Sequence, residues 1–241
     1  MTELLYQTDS YLKDFEAVVK GVDIENHGLV LDRTAFYPGG GGQPADSGML
    51  ISGNMELRVN KIKRIAGDIV HLIEGDSPLP EVGTVVKGSL DWDRRYQLMR
   101  THSALHVLCG VIFRNYGASV TGGDMDPLQG RMDFEFETMQ RDLVDKIETD
   151  VNVEVKKGHE IKVAILPREQ AFQIPDLIRT KINLLPAGIQ QVRVVEIEDL
   201  DLQADGGTHV RNTSEIGRIR VVDYKSKGKI NKRIYIEILD A

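Results

Sequence analysis

A single cysteine, Cys109, is the only thiol in this 241-residue chain, so no disulfide can form within it. That scarcity fits a reducing compartment, and the expectation is a cytoplasmic protein. Long hydrophobic runs are missing too: no stretch of about 18 apolar residues occurs, which excludes a membrane-spanning helix. The opening residues Met1-Thr2-Glu3-Leu4-Leu5-Tyr6 lack the basic-then-apolar order of a secretion signal, so none is expected. Excess positive charge is lacking as well. The formal charge is −7, from 30 basic and 37 acidic residues, which argues against a chain that coats nucleic acid by overall charge but leaves room for a local basic patch. Internal repeats and low-complexity tails are absent. What remains, 41% hydrophobic and 28% charged residues, is an ordinary globular composition, long enough for one large or two modest domains.

The pattern changes near residue 90. Before it, short apolar or alternating runs at 17–19, 29–31, 57–59, 69–73 and 84–90 are separated by turn formers such as Glu25-Asn26-His27-Gly28 and Ala66-Gly67-Asp68. Short strands at this spacing predict a small barrel or sandwich. His27 and His71 lie in this part without ligand-spaced neighbours and read as structural or solvated. Beyond Asp91, the apolar residues Leu98, Leu105, Val107, Leu108, Val111 and Ile112 predict a helix over 92–113, with Gly110 as a possible breaker. A second helix is expected over 138–151 and a short one near 169–172. Strands are expected at 160–166, 191–197, 216–224 and 232–239. The fold class is therefore α+β, with a boundary near residue 90.

Two histidine motifs stand out. His102 and His106 are four residues apart, so on a helix they share one face as a ready pair of imidazole ligands. Far along the chain, Asp205-Gly206-Gly207-Thr208-His209 offers a third imidazole with a carboxylate four residues before it, enough for a tetrahedral or open zinc site. Alone, the helical pair reads more readily as ordinary buried or surface histidines than as ligands. The residue after His102 is Ser103, so the general base of the His-Glu-x-x-His proteases is absent. A run of four glycines, Gly39 to Gly42, could bring bare backbone N–H groups to a ligand or could simply be a hairpin loop. It carries neither the Gly-Lys-Ser/Thr of a Walker loop nor the spaced glycines of a dinucleotide fingerprint, so no nucleotide cofactor is expected. Basic residues gather in two places. One comprises Arg94, Arg95 and Arg100; the other runs through Arg218, Arg220, Lys225, Lys227, Lys229, Lys232 and Arg233 against one acid, Asp223. Such clusters suit a phosphate backbone, or a solvated hairpin.

Together these pieces resemble one family. Arg100-Thr101-His102-Ser103-Ala104-Leu105-His106-Val107-Leu108 is similar to the His-x-x-x-His helix in the editing domain of alanyl-tRNA synthetase. Asp205-Gly206-Gly207-Thr208-His209-Val210, followed by Asn212-Thr213-Ser214-Glu215-Ile216-Gly217, resembles that domain's Cys-Gly-Gly-Thr-His-Val segment. Thr34 through Gln43, with Asp46 and Gly48, resembles the glycine-rich motif of the preceding domain. The motifs follow the family's order and span nearly the whole chain, so neither an aminoacylation domain nor a C-terminal oligomerisation domain is expected. The chain thus resembles the free-standing trans-editing proteins called AlaX, in their medium-length form.

The resemblance implies an N-terminal β-barrel domain carrying the glycine-rich motif, residues 1–90, and a two-layer α/β editing domain with zinc, residues 91–241. It implies hydrolysis of the ester that joins a wrong amino acid, serine or glycine, to the 3′ end of alanine tRNA. His102, His106 and His209 become zinc ligands. Asp205 stands where the family commonly has cysteine, either as a fourth ligand or as a partner that holds a histidine. Thr34 and Gln43 become the catalytic candidates, Thr34 for reading the serine hydroxyl. The partner is mischarged alanine tRNA, with no membrane involved, and the phosphate contacts fall to Arg94, Arg95, Lys225, Lys227 and Lys229. The alternative class is a non-catalytic zinc-containing tRNA-binding module, which a closed four-ligand site would favour and an open coordination position would not.

Overall fold

The computed structural model describes residues 2–180, 185 and 188–240. The chain divides into two compact units, Met1–Tyr96 and Gln97–Ala241. The first contains β1 (Glu3–Leu4), β2 (Asp14–Asp23), β3 (Gly28–Leu31), β4 (Arg33–Thr34), β5 (Gly48–Ser52), β6 (Met55–Ile65), β7 (Asp68–Ile73) and β8 (Val85–Leu90). Six of these close into a barrel in the order β2-β3-β7-β6-β5-β8, so the barrel reading holds over the sandwich.

Strict alternation builds it. Phe15, Ala17 and Val19 of β2, Leu57 and Val59 of β6, and Val86 and Leu90 of β8 turn inward with Leu29, Leu31 and Leu50 into one apolar core. Register shifts at Val19/Gly21 and Val59/Lys61 mark bulges that bend β2 and β6 enough for closure. β1 and β4 pair in parallel outside the barrel, setting Leu4 opposite Thr34.

The helix α1 (Trp92–Tyr116) leads into the second unit, which continues with β9 (Val120–Asp126), β10 (Gln129–Glu135), α2 (Arg141–Lys157), β11 (Ile161–Pro167), α3 (Arg168–Ala171), β12 (Gln191–Ile197), β13 (Asp201–Ala204), β14 (Arg218–Ser226) and β15 (Asn231–Leu239). They form two antiparallel sheets, β14-β15-β10-β9 and β11-β12-β13. Every residue of α1 from Thr101 to Ile112 is buried, the signature of a helix enclosed on all sides rather than one with a wet face. Its first polar member is partnered on both sides: the Thr101 hydroxyl donates to the Gln97 carbonyl at 2.9 Å and accepts from the Leu128 N–H at 2.9 Å. The helix passes Gly110 unbroken.

One expectation shifts and one hairpin goes unforeseen. The helix expected over 138–151 starts at Arg141, because Gln140 is extended, and runs on to Lys157, ending at Gly158 with φ 70° in the left-handed region that glycine tolerates. The hairpin β9–β10 is not foreshadowed by the sequence, since its Gly122, Gly123, Asp124 and Asp126 dilute any strand pattern.

Candidate metal centre

α1 carries His102 and His106 on one face, their ring centroids 5.0 Å apart. The second motif reaches them after β13. There Asp205 accepts from the Gly207 N–H at 2.7 Å, curling the Gly206-Gly207 turn that returns His209 toward α1. The His209 ring lies 4.3 Å from that of His102 and 4.6 Å from that of His106. All three imidazoles turn Nε2 toward the Asp205 carboxylate, at 3.5 Å for His102, 4.0 Å for His106 and 3.0 Å for His209. Candidate ligand atoms of the four residues lie within 4.8 Å of one another, a cluster that could hold a metal ion.

The surroundings fix these rings. Ser103 Oγ accepts from the Val210 N–H at 3.2 Å and stands 3.2 Å from Nδ1 of His209. If it accepts from that nitrogen as well, the Nε2 lone pair of His209 faces the cluster. Arg193 on β12 grips Asp205 twice, its Nη1 donating to the Asp205 carbonyl at 3.0 Å and lying 3.6 Å from the carboxylate. Past His209, Asn212 and Glu215 form a capping box, and the Thr213 hydroxyl accepts from the His159 N–H at 2.9 Å. That half of the Asn212–Gly217 segment therefore anchors the loop to the end of α2. Sequence reasoning missed the roles of Ser103 and Arg193, whose signals appear only once strand and helix meet.

Charge completes the picture. Burial holds the His102 imidazole well below its usual range, with Asp205 only partly opposing it. Burial likewise pushes His209 down to about 4. For His106 burial also pulls downward, but the carboxylates of Asp201 and Asp205 outweigh it and the net direction is up. Burial works against ionised Asp205 too, yet the surrounding histidines keep it well below the ordinary carboxylate range. At neutral pH the cluster therefore presents unprotonated imidazoles at His102 and His209 beside an ionised carboxylate, the donor states a divalent metal requires. Cys109 stays outside the cluster, buried, with burial driving its thiol upward, so no thiolate enters the donor set.

In the first unit the glycine run forms a tight hairpin turn. Gly40 and Gln43 exchange backbone hydrogen bonds of 3.0 Å, and Gly41 and Gly42 between them have φ of 58° and 91°, as a two-residue primed turn demands. Gln43 is buried at its foot. Thr34 is fully buried on β4. Its hydroxyl contacts Nε2 of His71 at 2.9 Å and accepts from the Phe36 N–H at 3.1 Å. His71 has Nδ1 3.1 Å from the Leu29 carbonyl, and burial pushes it down to about 4. The ring is thus neutral, donating through Nδ1 and accepting through Nε2, so Thr34 donates to it. His71 is structural.

The basic residues separate sharply. Arg95 is fully buried, which corrects its assignment to tRNA phosphates. Its guanidinium is held by both carboxylate oxygens of Asp46 and by the carbonyls of Ser10 at 2.9 Å and Ala35 at 2.6 Å, so no charge reaches the surface. Arg100 bonds the Ile216 carbonyl at 2.9 Å and Asp240 at 2.9 Å. Lys232 is buried against the carbonyls of Gly228 and Lys229, and Arg233 is clamped by both oxygens of Asp133. Lys225, Lys227 and Lys229, at the turn between β14 and β15, are exposed, with Lys225 also 2.9 Å from Asp223. Arg94 is partly exposed.

Comparison with known proteins agrees with this layout. Residues 3–94 match the family described as class II (A) tRNA synthetases, and residues 192–235 match the second additional domain of threonyl and alanyl tRNA synthetases. The alanyl-tRNA editing protein AlaX-M of Saccharolobus solfataricus is 42% identical over 240 residues, covering 99% of both chains. That of Methanosarcina barkeri is 39% identical over 244 residues, covering 100% of both. The alanine–tRNA ligase of Pyrobaculum aerophilum is 40% identical over 227 residues, 91% of this chain but 25% of the ligase. Identity sustained from end to end, with the His102–His106 helix and the Asp205–His209 turn brought together, places the chain in the AlaX-M family of alanyl-tRNA editing proteins.

Proposed function

We propose that this protein is a cytoplasmic aminoacyl-tRNA deacylase that hydrolyses the ester of serine, and of glycine, on alanine tRNA, with zinc held by His102, His106, His209 and Asp205 in a site that opens a further coordination position to water or substrate. The convergence of these four side chains, in a chain similar over its full length to alanyl-tRNA editing proteins, carries the reading. Asp205 is harder than a thiolate, so this donor set holds zinc with less selectivity than one containing cysteine. A pocket sized for alanine cannot reject serine or glycine firmly by binding alone, which is the chemical need for a second, hydrolytic site.

In the reaction a water oxygen adds to the ester carbonyl, the carbon–oxygen bond to the ribose breaks, and the ribose hydroxyl leaves with a proton. Bound zinc supplies either polarisation of a substrate group or a water of lowered pKa. Asp205, fixed by Arg193 and the Gly207 N–H, and His209, next to Ser103, keep the donors in place before substrate arrives. Thr34 and Gln43 orient the aminoacyl group. Thr34 is fully buried, donating to His71 and accepting from Phe36, so once substrate displaces its cover the one position left on its oxygen is an acceptor. It suits the hydroxyl of serine, which can donate, and finds no partner on alanine.

The reading is tested by incubating the protein with serine-, glycine- and alanine-charged alanine tRNA. Serine ester should be lost fastest and alanine ester spared; equal loss of all three contradicts it. Thr34→Val keeps the shape and removes the hydroxyl. One hydrogen bond is worth about 0.5–1.5 kcal/mol, so the serine-to-alanine rate ratio should fall roughly two- to tenfold. The ratio is the right observable, because the variant also leaves His71 Nε2 without its donor and lowers stability. An unchanged ratio in folded protein removes Thr34 from discrimination.

Phosphate contacts fall to Arg94, Lys225, Lys227 and Lys229. Replacing the three lysines by glutamine should weaken tRNA binding and reduce the slope of log affinity against log salt by roughly two to three, if each meets one phosphate. A slope that does not move would leave them as ordinary surface charge.

A further inference from the structure

We propose that Asp201 is a positioning residue for the metal centre, holding His106 in the tautomer and ring orientation that turn its Nε2 into the cluster. The inference rests on the metal-binding reading above and extends it to a residue outside the donor set.

Asp201 begins β13, and its side chain is entirely buried. Its Oδ2 stands 3.6 Å from Nδ1 of His106, on the side of the ring away from Asp205. That nitrogen is buried and has no hydrogen-bond partner within distance among the described residues. A small closure of the ring onto the carboxylate satisfies it. An imidazole that donates from Nδ1 to a carboxylate has its proton fixed there, its Nε2 lone pair exposed and its basicity as a ligand raised.

Two features of α1 serve this contact. Gly110 lies one helical turn beyond His106, where a Cβ would come 2.9 Å from Cβ of Asp201 and 3.0 Å from Cγ of Leu200. Glycine is what admits the start of β13 so close to the helix, and that explains a residue which otherwise weakens helices. Further along, Arg179 donates from Nε to Asp201 Oδ1 at 3.2 Å, with its guanidinium 3.9 Å from the Phe113 ring centroid. Gln203 donates to Asp201 Oδ2 at 2.5 Å. The carboxylate is thereby fixed in rotation, as a partner for a ligand must be.

The alternative is that Asp201 and Arg179 form only a structural ion pair. Asp201→Asn and Arg179→Met both break that pair, but only the first removes the carboxylate facing His106. Zinc affinity, measured by chelator competition on folded protein, should weaken about 10- to 100-fold in Asp201→Asn and by a clearly smaller factor in Arg179→Met, where Gln203 still holds the carboxylate. Unchanged affinity in Asp201→Asn, or equal losses in both variants, overturns the proposal. If Asp201→Asn does not fold, long-range proton–nitrogen NMR on zinc-loaded wild type decides. His106 should show a protonated Nδ1 and a zinc-bound Nε2; zinc on Nδ1 overturns it. Wild type that binds no zinc would fail the metal reading itself, a separate result from either variant outcome.

Discussion

Replacing His102 and His106 together by alanine should leave a folded protein that no longer retains metal through purification. The two imidazoles are half of the four-residue cluster, and both come from the same face of α1, so no other donor in the cluster can take their place. Zinc sites of small folds have apparent binding free energies of about 10–16 kcal/mol. Losing half the donors therefore removes at least about 5 kcal/mol, a rise in Kd of more than about a thousandfold. Both residues are buried, and alanine leaves space where the rings stood, so thermal melts of the metal-free proteins must accompany the elemental analysis. Full metal content in a folded double variant would remove these residues from the site.

The second large effect concerns stability. Arg95→Met should destabilise the barrel unit by about 3–5 kcal/mol, because it leaves the Asp46 carboxylate buried without its counter-charge. Asp46 also accepts from the Tyr37 N–H at 2.6 Å, and Arg95 also holds the Ala35 carbonyl. The pair thus braces the backbone on both sides of the glycine hairpin. Urea unfolding measures the loss; a change below about 1 kcal/mol would mean that methionine packs as well as the ion pair, as can happen when a whole buried pair is replaced. The same geometry explains why a basic residue next to Arg94 gives no surface charge.

The sequence made the strongly periodic parts of the fold legible. Phe15, Ala17 and Val19 alternate as a half-buried strand must, and Leu98 to Ile112 repeat as a buried helix must, so a barrel or sandwich and the central helix follow from pattern alone, while closure does not. The β9–β10 hairpin escaped because its glycines and aspartates carry no period. The metal cluster was legible because an i, i+4 pair and a glycine-flanked histidine each leave a local trace. Its support was not. Asp201, Ser103 and Arg193 act through contacts made after the chain folds, and Asp201 lies 95 positions from the histidine it faces. Charge misled at Arg95, Lys232 and Arg233, since a run of basic letters does not record which guanidinium or ammonium has an acid or carbonyl waiting inside.

The most direct measurement follows serine loss from serine-charged alanine tRNA by the purified protein, then after complete chelation, then after zinc is returned. A metal-dependent deacylase falls to the spontaneous rate on chelation and recovers with zinc, while the His102→Ala, His106→Ala variant stays at the spontaneous rate throughout. Hydrolysis that persists undiminished in verified metal-free protein, or in that variant, would contradict it.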